Sequence, residues 1–381
     1  MHQFEKQKKM TVLPNDPQHR LMKILFIAGD VSLIGGIEKY NRDFLAALGK
    51  TGVQASLVTR NKGGLWAKIS FVFRVLWAFF RQRPDLVCCA HINFASLCLA
   101  LSYLFNTRYT LALYGIEIPG IKGWIKRKAA AEAVLLITIS DYAKSLILEQ
   151  LPSAGDRIYM LPSAVDGGHF RITEKSRQLQ SKHGLSGRPV ILSLARLSTT
   201  EHKGQDRVLK SLSLVLEQVP DAIYLVVGGG CDERVEAVLR EHPELRPSVV
   251  FSGAAANDLR VDYYNLADVY VLPSKFEGFG IVFIESLACG VPVVASDGYG
   301  CRAGLLDGEL GLLASPDDLP AIAKAIVAIL KKTAPPQLFE RESLRQKTLA
   351  VYGIDKWNER VLSLVKLLST GNINTKNQAG F

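Results

Sequence analysis

Val269-Tyr270-Val271-Leu272-Pro273-Ser274-Lys275-Phe276-Glu277-Gly278-Phe279-Gly280-Ile281-Val282-Phe283-Ile284-Glu285 is the stretch from which the rest of the chain can be read. Four apolar residues are the length of a buried strand, and Pro273-Ser274 stops them. Two glycines flank Phe279 in the loop that follows, and an apolar segment of helical length, expected over Phe279–Ala288, comes next. A strand that turns through glycine into a helix offers free backbone N–H groups and the positive end of a helix dipole to an anion.

The same unit recurs outward. Met22–Ala28 runs into Gly29-Asp30 and, through Gly35-Gly36, into a helical pattern at Ile37–Lys50. Further strands are predicted at Ala55–Thr59, Leu86–Ala90, Tyr109–Leu113 and Val134–Ile139, with a helix at Asp141–Leu151. After the polar stretch His169–Gly187 a second series starts, with strands at Val190–Leu194, Ile223–Val227, Val249–Phe251, Val269–Leu272 and Val291–Ala295 and a helix at Gln205–Gln218. Apolar strands alternating with helices imply parallel sheets covered on both faces. The expected α/β architecture is two facing doubly wound, Rossmann-like domains, residues 21–182 and 183–349, with ligand in the cleft at the strands' carboxyl ends. A terminal helix over 350–368 is expected to pack back across them. The leader 1–20 and the tail 369–381 read as disordered.

The 381 residues are 48% hydrophobic and 22% charged, which excludes a disordered chain, a collagen-like repeat and a small disulfide scaffold. Charge is split unevenly. Residues 1–187 carry 25 basic and 13 acidic side chains, whereas 188–381 carry 21 and 23. A basic half anticipates an anionic partner. Six cysteines without a CxxC pair point to a reducing compartment, and residues 1–20 lack an apolar signal core. Leu86–Thr107 has no formal charge, but His91, Asn93 and Asn106 make a strand followed by a core helix the better reading than a membrane span.

Candidate chemistry collects at the predicted strand ends. Carboxylates repel phosphate, so Glu277 and Glu285 call for hydroxyl partners, and sugar diols suit them. Arg196, after Val190–Leu194, and Lys203, before Gly204, are placed to neutralise a departing diphosphate. Gly35-Gly36 would let backbone approach a phosphate or an acceptor. His91 and the run Tyr114-Gly115-Ile116-Glu117 follow strands of the first domain and could line its acceptor side; for His91 a core position is equally open. Gly228-Gly229-Gly230 fails the dinucleotide G-x-G-x-x-G spacing.

In this order the motifs resemble retaining glycosyltransferases of family 4, of GT-B architecture, over most of residues 22–368. The resemblance implies that Glu277 touches the donor sugar and that Glu285 binds the nucleotide ribose. Amides around Gly278, Phe279, Gly280, Ile281 and Val282 would hold the pyrophosphate, with Gly36 beside it. Arg196 and Lys203 would complete the catalytic set, and His91, Tyr114 and Glu117 would face the acceptor. Ala195 stands where the family has glycine, and Tyr114 where it often has histidine. Leu161-Pro162-Ser163-Ala164-Val165-Asp166 is similar to its hinge, with Ser163 and Ala164 substituted.

The expected donor is a nucleotide diphosphate sugar, with no metal and no other cofactor, there being no Asp-x-Asp motif. The expected acceptor is a lipid-linked or polysaccharide-precursor glycan. Trp66, Phe71, Phe73, Trp77, Phe79 and Phe80 interleave with Lys68, Arg74, Arg81 and Arg83, and a second basic cluster at Lys122, Lys126, Arg127 and Lys128 carries Trp124. The first stretch reads equally as a helix lying on a membrane or as a buried family helix. Together the two favour a cytoplasmic enzyme, peripheral on the inner membrane face, with an anionic membrane surface as partner rather than nucleic acid. A non-catalytic sugar-nucleotide-binding partner of the same fold is the alternative.

Overall fold

Strands β1 (Lys23–Gly29), β2 (Gln54–Arg60), β3 (Leu86–Cys89), β4 (Arg108–Leu113), β5 (Leu135–Thr138) and β6 (Ile158–Met160) form a parallel sheet in the order β2-β1-β3-β4-β5-β6. The computed structural model describes residues 21–370 except Ile34, Lys62, Lys122, Thr200, Glu201 and His202. The expected leader, Lys122 of the basic cluster and the tail from Gly371 onward therefore lie outside the described residues. Helices α1 (Gly36–Lys50), α2 (Leu65–Gln82), α3 (Ala95–Phe105), α4 (Trp124–Glu132) and α5 (Asp141–Gln150) connect the strands.

After α6 (Arg177–His183) the second sheet begins with β7 (Val190–Leu194) and continues through β9 (Ile223–Val227), β11 (Val249–Gly253), β12 (Val269–Leu272), β13 (Val293–Ser296) and β14 (Gly311–Ala314). Its order is β11-β9-β7-β12-β13-β14, and a two-residue ribbon pairs β8 (Leu197–Ser198) with β10 (Gly230–Cys231). Helices α7 (Gln205–Leu216), α8 (Glu233–Glu241), α9 (Arg260–Leu266), α10 (Ile281–Ala288), α11 (Cys301–Gly304) and α12 (Leu319–Leu330) cover it. Every residue of β3, β5, β7, β9, β12 and β13 is buried, as strands covered on both faces require. Two doubly wound domains are thus what the apolar runs anticipated. The strand order reverses between β7 and β12, the point at which sheets of this kind leave a crevice at the strands' carboxyl ends.

Several boundaries differ from expectation for local reasons. Helix α10 starts at Ile281 rather than Phe279, because Gly280 has φ +86 and lies outside helical space. Strand β13 starts at Val293; Pro292 has no N–H to give to a ladder, although its carbonyl accepts the Tyr270 N–H at 2.9 Å. Strands β6 and β14, of three and four residues, were not anticipated.

The chain then crosses back. Helix α13 (Arg341–Tyr352) lies on α10, with Arg345 donating to the carbonyls of Gly167, Phe170 and Ala288. Val165 pairs with Gly353 in an isolated bridge. Helix α14 (Ile354–Thr370) packs on α1 of the first domain, and it runs two residues past the expected end. Its buried Trp357 meets the rings of Tyr40 and Phe44 at 5.6 and 5.9 Å and donates to the Pro162 carbonyl at 2.5 Å. Burying an indole with its N–H satisfied ties α14 firmly to the first domain.

Helix α2 is buried along one side only. Phe71, Val75, Ala78 and Phe79 are buried on one stripe, whereas Trp66 (82% exposed), Phe73, Trp77 and Phe80 stand on the opposite side. Among the described residues no helix is long and apolar enough to cross a membrane.

Candidate active site

Buried β12 delivers Pro273–Gly280 to the crevice, and neighbouring strand ends hold this loop through serines. Ser274 Oγ donates to the Lys203 carbonyl at 3.0 Å, and Ser296 Oγ donates to the Ser274 carbonyl at 2.5 Å. Gly204 has φ +93, and a Cβ there would stand 2.4 Å from the Pro273 carbonyl oxygen, so only glycine lets the two segments touch. The result is a meeting of residues far apart in sequence: Lys203 Nζ lies 3.0 Å from Glu277 Oε2, both side chains partly shielded from solvent. Next to this pair, α10 begins without a side-chain cap and without an acidic residue in its first turn. Its N-terminus therefore favours an anion.

Arg196 follows β7 and is exposed. Its backbone is fixed on two sides. Ala195 N–H donates to Val227 O and Leu197 N–H to Gly229 O, both at 3.0 Å, while the Gln205 amide donates to the Arg196 carbonyl at 3.3 Å. A Cβ on Gly228 would lie 1.9 Å from Ala195 O, and one on Gly230 2.2 Å from Leu197 O. The glycine run that fails as a dinucleotide motif is thus a cradle for the Arg196 turn.

The first domain closes on the same loop. Ser140 caps α5 by accepting from Ala143 N–H at 3.1 Å, and its Oγ donates to the Gly278 carbonyl at 2.6 Å. A Cβ at Gly36 would be 3.6 Å from Ile281 Cδ1, so the uncapped start of α1 faces the start of α10. A Cβ at Gly278 would be 2.1 Å from the Tyr114 carbonyl oxygen.

One candidate side chain sits differently from the expectation, and two others are buried. The Tyr114 phenol is not on the acceptor side: it is buried and donates to Asn41 Oδ1 at 2.8 Å and Ala90 O at 2.9 Å, so only its backbone reaches the cleft. The Phe279 ring packs at 5.4 Å on Tyr352 in the core and leaves the loop to its backbone. Glu285 is 0% exposed. Its Oε2 accepts from Arg260 and, at 2.9 Å, from the Tyr264 hydroxyl, while Oε1 is buried without a partner among the described residues. Arg260 and Tyr264 carry no motif in the sequence, and only the fold shows them.

In the first domain His91 Nδ1 accepts the Asn93 N–H at 3.1 Å, and Asn93 Oδ1 accepts from Lys126 at 3.0 Å. Burial, and Lys126 behind it, hold the His91 imidazole below its ordinary value, so it is neutral at pH 7. Burial pushes the Glu117 carboxyl upward, partly offset by the Tyr114 N–H it accepts; its Oε2 is buried without a partner among the described residues. A separate open hollow of about 520 Å³ is lined by Pro119, Ile121, Gly123, Trp124, Arg127 and Gln150, not by the Lys203–Glu277 pair. Among the described residues no three His, Cys, Asp or Glu side chains cluster as a metal site.

Residues 175–347 match the family described as glycosyl transferases group 1. A GDP-mannose-dependent alpha-(1-6)-phosphatidylinositol monomannoside mannosyltransferase of Mycolicibacterium smegmatis is 33% identical over 216 residues, 54% of this chain and 55% of the relative. The chain thus spans about half the length of the curated relatives it matches. Among solved structures, sucrose-phosphate synthase from Thermosynechococcus elongatus superposes with a TM-score of 0.78 at 20% identity, covering 92% of this chain and all 100% of the other. Anabaena HepE in complex with UDP and glucose gives 0.72 at 19% identity, covering 92% and 100%. At such identities the structural likeness speaks for the fold.

Proposed function

We propose that this chain, whose residues 175–347 match the group 1 glycosyltransferases and whose fold is GT-B, moves a sugar from a nucleotide diphosphate donor to a glycan acceptor with retention of anomeric configuration. The observation that carries the reading is the Lys203–Glu277 pair, 3.0 Å apart at the uncapped start of α10. A cation, a carboxylate and a helix N-terminus in one place suit a diphosphate joined to a polyhydroxyl ring.

In this account the amides of Gly280, Ile281 and Val282 take the pyrophosphate, with Gly36 opposite. Arg196 and Lys203 neutralise the charge that develops as the diphosphate leaves. Glu277 orients the donor sugar near its oxocarbenium-like centre, and Lys203 holds that carboxylate in place until phosphate arrives. Glu285, whose buried Oε1 has no partner among the described residues, takes a ribose hydroxyl. The leaving phosphate oxygen accepts the acceptor's proton on the face where the new bond forms, so no protein base is needed. Two fixed cations do the work a metal would otherwise do, and chelation should leave turnover unchanged. His91 and Glu117 face the acceptor.

We further infer a lipid-linked acceptor met at the inner membrane face, with the protein cytoplasmic and peripheral. The exposed side of α2, with Trp66, Phe73, Trp77 and Phe80 beside Lys68, Arg74 and Arg81, supports this, as does Trp124 near Lys126 and Arg127. The mannosyltransferase relative, by its name, acts on a phosphatidylinositol monomannoside. The test is a panel of nucleotide sugars scored for diphosphate release with and without lipid-linked acceptors, together with sedimentation on anionic vesicles at low salt. Donor hydrolysis separates an enzyme from a non-catalytic sugar-nucleotide binder; no diphosphate release from any donor overturns the catalytic reading, and indifference to vesicles overturns the membrane one.

A further inference from the structure

Two large aromatic residues beside Glu277 occupy backbone conformations that suit glycine. Phe276 has φ +63 and Tyr299 has φ +52. Left-handed backbone is costly for residues with a Cβ, and it persists where the surroundings insist on it. The surroundings here are the loop that carries Glu277. Gly300 N–H donates to the Glu277 carbonyl at 2.8 Å, and a Cβ on Gly300 would lie 1.9 Å from the Gly278 oxygen, so the Tyr299 turn lies directly on the Glu277 turn. The Phe276 and Tyr299 rings are 5.3 Å apart at 53°.

The row continues into the other domain. Tyr142, in the first turn of α5, meets Tyr299 edge to face at 5.7 Å and 86°. It lies two residues from Ser140, whose hydroxyl holds the Gly278 carbonyl. Phe276, at the other end, is 56% exposed. Three rings thus run from the first domain to the residue adjoining Glu277 and end in an accessible phenyl ring.

We propose that Phe276 and Tyr299, backed by Tyr142, form an aromatic subsite that stacks on the pyranose ring of the donor beside Glu277. A pyranose presents hydroxyls at its rim and a patch of C–H groups on its face. Glu277 serves the rim, and the electron-rich face of an aromatic ring serves the patch. This role rests on the nucleotide-sugar reading above and adds to it the group that meets the apolar face of the sugar.

The test compares Phe276→Gly and Tyr299→Gly with wild type in the full chain, using calorimetric titrations with GDP against GDP-mannose and UDP against UDP-glucose. Glycine relieves the left-handed backbone while it removes the ring. Expected are an unchanged or raised Tm, unchanged affinity for the bare diphosphate, and affinity for its sugar ester lower by about tenfold, the upper range for one aromatic contact. Phe276→Tyr should restore the sugar-dependent part. A lowered Tm with equal losses for diphosphate and sugar ester would make the row a domain clasp only and overturn the proposal, as would no change at all. Binding of none of the four nucleotides by wild type would overturn the donor reading itself, and this subsite with it.

Discussion

Replacing Gly278 with alanine tests whether the two domains must close on the Glu277 loop for turnover. A Cβ there falls 2.1 Å from the Tyr114 carbonyl oxygen and 3.4 Å from Ile139 Cδ1. The first separation is well inside the optimum of about 3.5 Å for non-bonded heavy atoms, and backbone on both sides leaves no flexible side chain to yield. Relief comes from parting the domains, which breaks the 2.6 Å bond from Ser140 Oγ to the Gly278 carbonyl. Overpacking costs about 1–3 kcal/mol and the lost hydrogen bond about 1 kcal/mol. The closed arrangement is then disfavoured by about 2–4 kcal/mol, a fall in kcat/KM of about 30-fold to nearly 1,000-fold. Because the clash is with the first domain, affinity for nucleoside diphosphate alone should be unchanged, and Tm should move little. Ser140→Ala removes the hydrogen bond without the clash and should lower kcat/KM only about fivefold. Steady-state donor turnover and calorimetric titration of the diphosphate measure both. Wild-type kcat/KM in Gly278→Ala would refute the reasoning.

Three other perturbations follow from the same geometry. Arg260→Leu leaves the buried Glu285 carboxylate with only Tyr264 of its two donors, so stability should fall by about 3 kcal/mol in urea unfolding and donor KM should rise; an unchanged midpoint counts against the pair. Gly228→Ala displaces the Ala195 carbonyl that precedes Arg196, and its loss of kcat should vanish in an Arg196→Ala background, a non-additivity read by a double-mutant cycle. His91 stays neutral in the fold below its ordinary value of 6.5, while the unfolded chain takes up a proton there. The stability this residue contributes is therefore complete above about pH 6.5 and is lost as pH falls toward the depressed folded value, so His91→Gln should flatten the decline of Tm between pH 7 and 5.5.

The sheets were legible because strands buried on both faces read as unbroken apolar runs, and the two series of five such runs carry most of both sheets. Three-residue β6 lacks the length to stand out, and β14 opens on a glycine with Leu312 and Leu313 only partly buried. Lys203 and Glu277 were each visible through their motifs, but their contact was not, since 74 residues of chain separate them. Tyr114 shows why a strand end is an unreliable guide to direction: it shares a face with Ala112, and that face packs into the core that holds Tyr40 and Phe44. Arg260 and the Tyr142–Tyr299–Phe276 row have no sequence period at all, because they are assembled by separate loops and helices. Glycine runs were ambiguous in the same way. Gly228–Gly230 resembles a phosphate loop on paper, and the packed backbone of residues 195–197 shows what its missing side chains make room for.

The central claim is that Arg196, Lys203 and Glu277 act on a nucleotide diphosphate sugar. Nuclear magnetic resonance of the reaction with the donor chosen by the panel measures it most directly, following diphosphate release and the anomeric signal of the new linkage together. The account predicts release with the donor's configuration kept, and loss of both signals in Arg196→Ala at wild-type Tm. An inverted anomer, or product formation undiminished in Arg196→Ala, would contradict it.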